Sequence, residues 1–147
     1  DVSRELFVER FVGEQMAQDG SFPRELVRTR PYNYAIFTLD LLVTLAHILS
    51  TEQCDLWRFE LSDGRGVRKA MEYLFPYLAE PSNRPYPSGP IEDRRLPVAA
   101  PFMLLAARGG GGRRWLELWD RLPAVPAVPA NMEIRRNIPI KEAYLWV

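Results

Sequence analysis

From Asn33 to Leu49 the chain runs without a glycine or a proline, and most of its side chains are apolar: Tyr34, Ala35, Ile36, Phe37, Leu39, Leu41, Leu42, Val43, Leu45, Ala46, Ile48 and Leu49. A segment this apolar predicts a helix that is hydrophobic on most of its faces. Such a helix needs cover on nearly all sides. It is shorter than the ~20 apolar residues of a bilayer span and carries Asp40 and His47, so no membrane partner is expected. The chain has 147 residues, one domain's worth. The other helices must therefore supply the cover.

Three further segments read as helices. Phe7, Val8, Phe11, Val12 and Met16 fall on one face of a helix over residues 4–18, which stops at Asp19-Gly20-Ser21. Val67, Ala70, Met71, Leu74, Phe75 and Leu78 repeat the pattern after Asp63-Gly64, and Trp115, Leu116, Leu118, Trp119 and Leu122 do so near the end. A short helix is expected after Pro101. No alternating strand pattern stands out. About five helices are expected, joined by loops rich in proline at residues 79–92 and 123–129. Gly109 to Gly112 reads as a flexible joint. It is no phosphate loop, because the Gly-Lys-Ser/Thr ending and a preceding strand are missing. Loops this long sit oddly in a small closed bundle, so part of a larger helical assembly is expected.

Composition excludes several functions. Hydrophobic residues make up 47% and charged residues 26%, the balance of a folded globular protein. Nineteen basic and nineteen acidic side chains give no net charge, so a nucleic-acid partner is not expected. One cysteine, Cys54, and one histidine, His47, leave no internal disulfide, no cysteine-rich zinc site and no intrachain two-histidine site. No metal or other cofactor is expected. His47 reads as a core or interface histidine and Cys54 as a semi-buried thiol. Trp115 and Trp119 read as core. The start at Asp1, without methionine or a signal segment, reads as processed or truncated.

Chemistry concentrates between residues 19 and 39. Arg24, Arg28 and Arg30 form a local basic cluster against Glu25 alone, followed at once by Tyr32 and Tyr34. Arginine forks match the geometry of carboxylates. A tyrosine beside arginines has its phenolate form favoured and can serve as base and then acid. The same residues also read as a solvated loop, with ion pairs to Glu25 or Asp19 and a tyrosine ring packed on the core.

The run Asp19-Gly20-Ser21-Phe22-Pro23-Arg24-Glu25-Leu26-Val27-Arg28-Thr29-Arg30, continued by Tyr34, Phe37 and Leu39, resembles a signature of the alginate-lyase-like polysaccharide lyases. Asp55-Leu56-Trp57, Asp63-Gly64-Arg65, Asn137-Ile138-Pro139 and Leu145-Trp146 continue the resemblance more loosely. It implies an all-α fold, part of an incomplete (α/α) toroid of antiparallel helix pairs, with residues 1–147 as its C-terminal half. It implies cleavage of an anionic uronic-acid polymer by β-elimination, with Tyr34 as the catalytic base and acid. Arg28, Arg30 and Tyr32 would bind substrate, Tyr32 also being the alternative base if the register is two residues off. The family's Asn-His pair, which neutralises the substrate carboxylate, has no counterpart here, as no Asn-His dipeptide occurs. The resemblance further implies an anionic polysaccharide and the missing N-terminal half of the domain as partners, and a periplasmic or secreted protein. The alternative is a non-catalytic helical module that binds polyanionic sugar or packs as a structural half-toroid.

Overall fold

The computed structural model describes residues 2–85 and 99–123. Their regular structure is helical: α1 (Val2–Leu6), continued by a π-helical stretch (Phe7–Gln15), α2 (Pro23–Leu26), α3 (Pro31–Leu49), α4 (Val67–Ala79), a 3-10 turn (Pro81–Asn83), α5 (Phe102–Ala106), a second π-helical stretch (Ala107–Gly111) and α6 (Arg113–Arg121). The described residues form no strand, only an isolated bridge in which Thr51 and Cys54 exchange backbone hydrogen bonds. The fold is all-α, as expected. Pro126 and Pro129 of the proline triplet, the apolar tail and residues 86–92 of the 79–92 loop lie outside the described residues.

Helix α3 is the axis of the packing. It begins at Pro31, whose missing N–H costs nothing at the first helical position and whose φ is already helical. It ends at Ser50, where Oγ donates to the Ala46 carbonyl at 2.6 Å and accepts the Leu56 N–H at 3.0 Å. Ala35, Leu39, Leu42, Val43 and Ala46 are buried along it, in one core with Phe7, Val12, Leu74, Leu78, Phe102 and Trp115. The sequence made α3 too short and too polar for a bilayer. In the structure its 19 residues and mean hydropathy of 1.4 meet the length and composition of a membrane-crossing helix. Half of that stretch is buried against the rest of the chain, as a core helix would be.

Long-range hydrogen bonds fix the directions. Arg4 Nε, in α1, donates to the carbonyl of Leu49 at the far end of α3 (2.7 Å). Tyr32, at the start of α3, donates its hydroxyl to the carbonyl of Tyr77 near the end of α4. The first helix thus starts beside the end of α3, and α3 starts beside the end of α4. Helices α4 and α6 run parallel, because Arg114 pairs with Glu72 and Arg121 donates to the Ala79 carbonyl at 3.0 Å, both across a separation of 42 residues.

Two loops act as clamps. Arg65 Nη1 donates to the carbonyls of Val12 (3.2 Å), Gly13 (2.7 Å) and Met16 (2.8 Å), while its Nε holds Asp63 at 2.7 Å. One side chain thereby satisfies the orphan carbonyls that close the first helix. The four glycines are no spacer. Gly109 to Gly111 continue α5 into its π-helical stretch, Gly110 (φ 108°) and Gly112 (φ 74°) turn the chain into α6, and a Cβ on Gly109 would fall 2.1 Å from the Trp57 ring. Close approach at Gly109, Gly110 and Gly111, and the positive φ of Gly112, explain the glycines better than mobility does. Trp115 is fully buried, edge-on to Phe75 at 5.1 Å and to Phe102 at 6.0 Å, a core residue as expected.

Candidate functional site

The Asp19-Gly20-Ser21 turn is scaffolding. Asp19 Oδ1 accepts the Ser21 N–H at 2.9 Å, and the Ala17 N–H reaches back to the Ser21 carbonyl at 2.9 Å. Gly20 takes φ 91°, and a Cβ there would sit 2.4 Å from the Lys69 carbonyl oxygen, so the turn lies directly on the α4 backbone. Phe22 is buried beside it. Tyr73 of α4 has its hydroxyl pKa pushed up to about 12, by burial first and then by the charge of Asp19 and by Tyr77. It stays a neutral phenol.

With the turn fixed, Pro23 opens α2, and its four residues deliver Arg28 to the start of α3. Arg28 Nη1 contacts Glu25 Oε2 at 3.3 Å, and its guanidinium carbon lies 3.7 Å above the centre of the Tyr34 ring. Tyr34 is half-buried in the first turn of α3, its N–H donating to the Arg30 carbonyl at 3.1 Å. The structure therefore brings Arg28 and Tyr34 into direct contact. A guanidinium stacked on an aromatic face is held by ~0.5–1 kcal/mol at an exposed site. The Glu25 contact is about as weak, because half of the Arg28 side chain is in water.

The other expected site residues stand differently. Tyr32 is fully buried, its hydroxyl engaged by the Tyr77 carbonyl and its ring covered by the Arg84 guanidinium at 4.0 Å. Residues two apart on a helix point about 200° from each other, so one tyrosine faces the core and the other faces out. That packing sets Tyr32 as an anchor between α3 and α4, whereas Tyr34 is only partly buried. Arg30 is half-buried just before α3, and Arg24 is exposed. His47, expected as a core or interface histidine, is half-exposed at the opposite end of α3, with its pKa lowered by burial first and by Arg108 second. Asp40 was read only as a polar break in an apolar helix. It is a buried carboxyl, and no local signal marked it as one. Among the described residues no group of three or more His, Cys, Asp or Glu side chains could hold a metal ion.

Comparison with known proteins follows this geometry. The profile of the alginate lyase family matches residues 1–83, which include the turn, Arg28 and Tyr34. No curated protein matches the chain. Among solved structures, the chain is similar to the crystal structure of an alginate lyase from Bacteroides ovatus, with a TM-score of 0.68 and 26% identity, over 84% of this chain and 33% of that one. The chain thus spans about a third of the length of that structure.

Proposed function

The chain belongs to the alginate lyase family, and on that premise we propose that it carries the proton-transfer wall of a polysaccharide lyase acting on an alginate-like uronic-acid polymer. The observation that supports this reading is the Arg28–Tyr34 stack, which holds a carboxylate-binding fork against a phenol at 3.7 Å. In β-elimination the phenolate of Tyr34 takes the proton from C5 of the uronate. The C5 electron pair forms the C4–C5 double bond, the C4–O bond breaks, and the tyrosine proton passes to the departing glycosidic oxygen. C5 is acidic only if the neighbouring carboxylate is neutralised, because its charge opposes the developing enolate. Arg28, stacked on Tyr34, would contribute to that, and a well-aimed donor at such a group is worth ~3–4 kcal/mol.

The remaining helices of an (α/α) toroid, with the Asn-His pair that this sequence lacks, would complete the neutralisation and the cleft. A periplasmic or secreted location goes with a polymer of that kind. The test is made on the full-length gene product with alginate, reading the ultraviolet absorbance of the unsaturated uronate. Tyr34→Phe keeps the ring under Arg28 and removes the proton carrier, so kcat is expected to fall ~10²–10⁴-fold with helicity unchanged. Arg28→Ala is expected to raise KM as well as lower kcat, because the fork serves ground and transition states alike. Normal turnover in Tyr34→Phe would overturn the assignment. A Tyr34→Phe protein that binds uronate oligomers like a wild type that is itself inactive would favour the non-catalytic module.

A further inference from the structure

A second constellation lies at the other end of α3. His47 at its last turn, Asp55, Trp57 and Arg58 of the following loop, Arg68 of α4 and Arg108 beyond α5 line a cavity of about 320 Å³, floored by Gly109 and Gly110. His47 follows Tyr34 by 13 residues, which is ~20 Å of helix rise, so this cavity is separate from the Arg28–Tyr34 stack.

Its charge is unbalanced. Asp55 is engaged by Arg58 at 3.3 Å. Arg68 and Arg108 form no ion pair with any described residue, and His47 is held toward its neutral form by burial and by Arg108. Among the described lining residues, Asp55 is thus the single acid against three arginines. The glycines matter too: a Cβ on Gly110 would fall 2.7 Å from the Arg68 guanidinium, and one on Gly109 would fall 2.1 Å from the Trp57 indole. The absent side chain at Gly110 thus leaves room for the Arg68 fork, and Trp57 adds an aromatic side chain to the lining.

We propose that this cavity is a second binding site, for the carboxylate of an acidic sugar, with Arg68 and Arg108 gripping the carboxylate and the Trp57 indole flanking the ring. Size favours a sugar over a bare oxyanion. The volume lies at the lower end of small-molecule pockets and would hold on the order of ten waters, far more than an inorganic anion displaces. Planar arginine forks favour a carboxylate, which they bind in two-pronged fashion. Binding here does not depend on Tyr34 being a base, so the site stands or falls apart from the lyase reading.

His47 is the only histidine in the chain, which makes it an unambiguous reporter. An anion bound beside an imidazole favours its protonated form. In NMR titrations of the whole chain, glucuronate is expected to give a saturable shift of the His47 resonances and to raise their titration midpoint. Glucose at the same concentration should do neither, and inorganic phosphate should bind at least tenfold more weakly. Arg68→Gln/Arg108→Gln, both at exposed positions and checked for helicity by circular dichroism, should abolish saturation by glucuronate. No saturable response to glucuronate, equal affinity for phosphate, or unchanged affinity in the double variant would each overturn the proposal. Tyr34→Phe, in contrast, should leave the His47 response as it is.

Discussion

Asp40 shows what one side chain can set. It lies in the middle of α3, 2% exposed, with the Thr44 hydroxyl donating to it at 3.3 Å. Burial lifts its pKa from the ordinary 3.8 to about 7, against a smaller downward pull from Thr44. Between those values the folded protein keeps a proton that the unfolded chain has released. Stability therefore falls as pH rises through that window and is fully restored only below the unfolded value. The full shift is on the order of 4 kcal/mol. Asp40→Asn is expected to be the more stable protein at about pH 8 and to differ little from wild type at about pH 3. Urea denaturation at the two pH values checks this, and an equal gap at both would refute it. Legibility also varied at this scale. Arg28 and Tyr34 lie six residues apart, so the sequence put them in one basic and aromatic cluster, while their stacking is visible only in the structure. Asp40 was visible as a residue and not as a buried acid, because the helices that cover it come from elsewhere in the chain. The arginines at 58, 68 and 108 come together only through the fold.

Among the elements, the loops proved more informative than the helices. Apolar periodicity located the helices to within a few residues, but it could not say what their ends require. Gly20→Ala forces a side chain onto φ 91° and against the Lys69 carbonyl. It is expected to cost more than ~1 kcal/mol and to shift Arg28 away from Tyr34. Thermal denaturation reads the first effect and loss of turnover in the full-length protein the second. Arg65→Ala strips the donor from three carbonyls at the end of the first helix. The expected loss is ~1.5–3 kcal/mol, because these bonds carry a charge. Amide exchange should speed up first in residues 7–15, and uniform acceleration across the protein would contradict a local clamp. Of the four glycines, read as a joint, Gly109, Gly110 and Gly111 are closely approached, while Gly112 turns the chain at φ 74° in open space. A glycine run carries the same letters whether it faces water or a tryptophan ring, and only the partner's position decides.

For the whole molecule, the all-helical class was legible because the apolar α3 admits few other solutions. The tying contacts were not, because Tyr32 and Tyr77 are 45 residues apart and no local pattern pairs them. Circular dichroism is expected to show a helical spectrum that disappears in one cooperative transition, since one core joins the helices from Phe7 to Trp115. Two well-separated transitions would indicate independent halves. The Arg65 clamp also has a consequence in time. Its guanidinium is made about 50 residues after the carbonyls it serves. At a synthesis rate of ~5–20 residues per second, a nascent chain waits ~3–10 s with the end of its first helix open. The end of that helix stays unclamped until α3 and the loop after it have been made, so it is secured by a stretch of chain that follows it in synthesis.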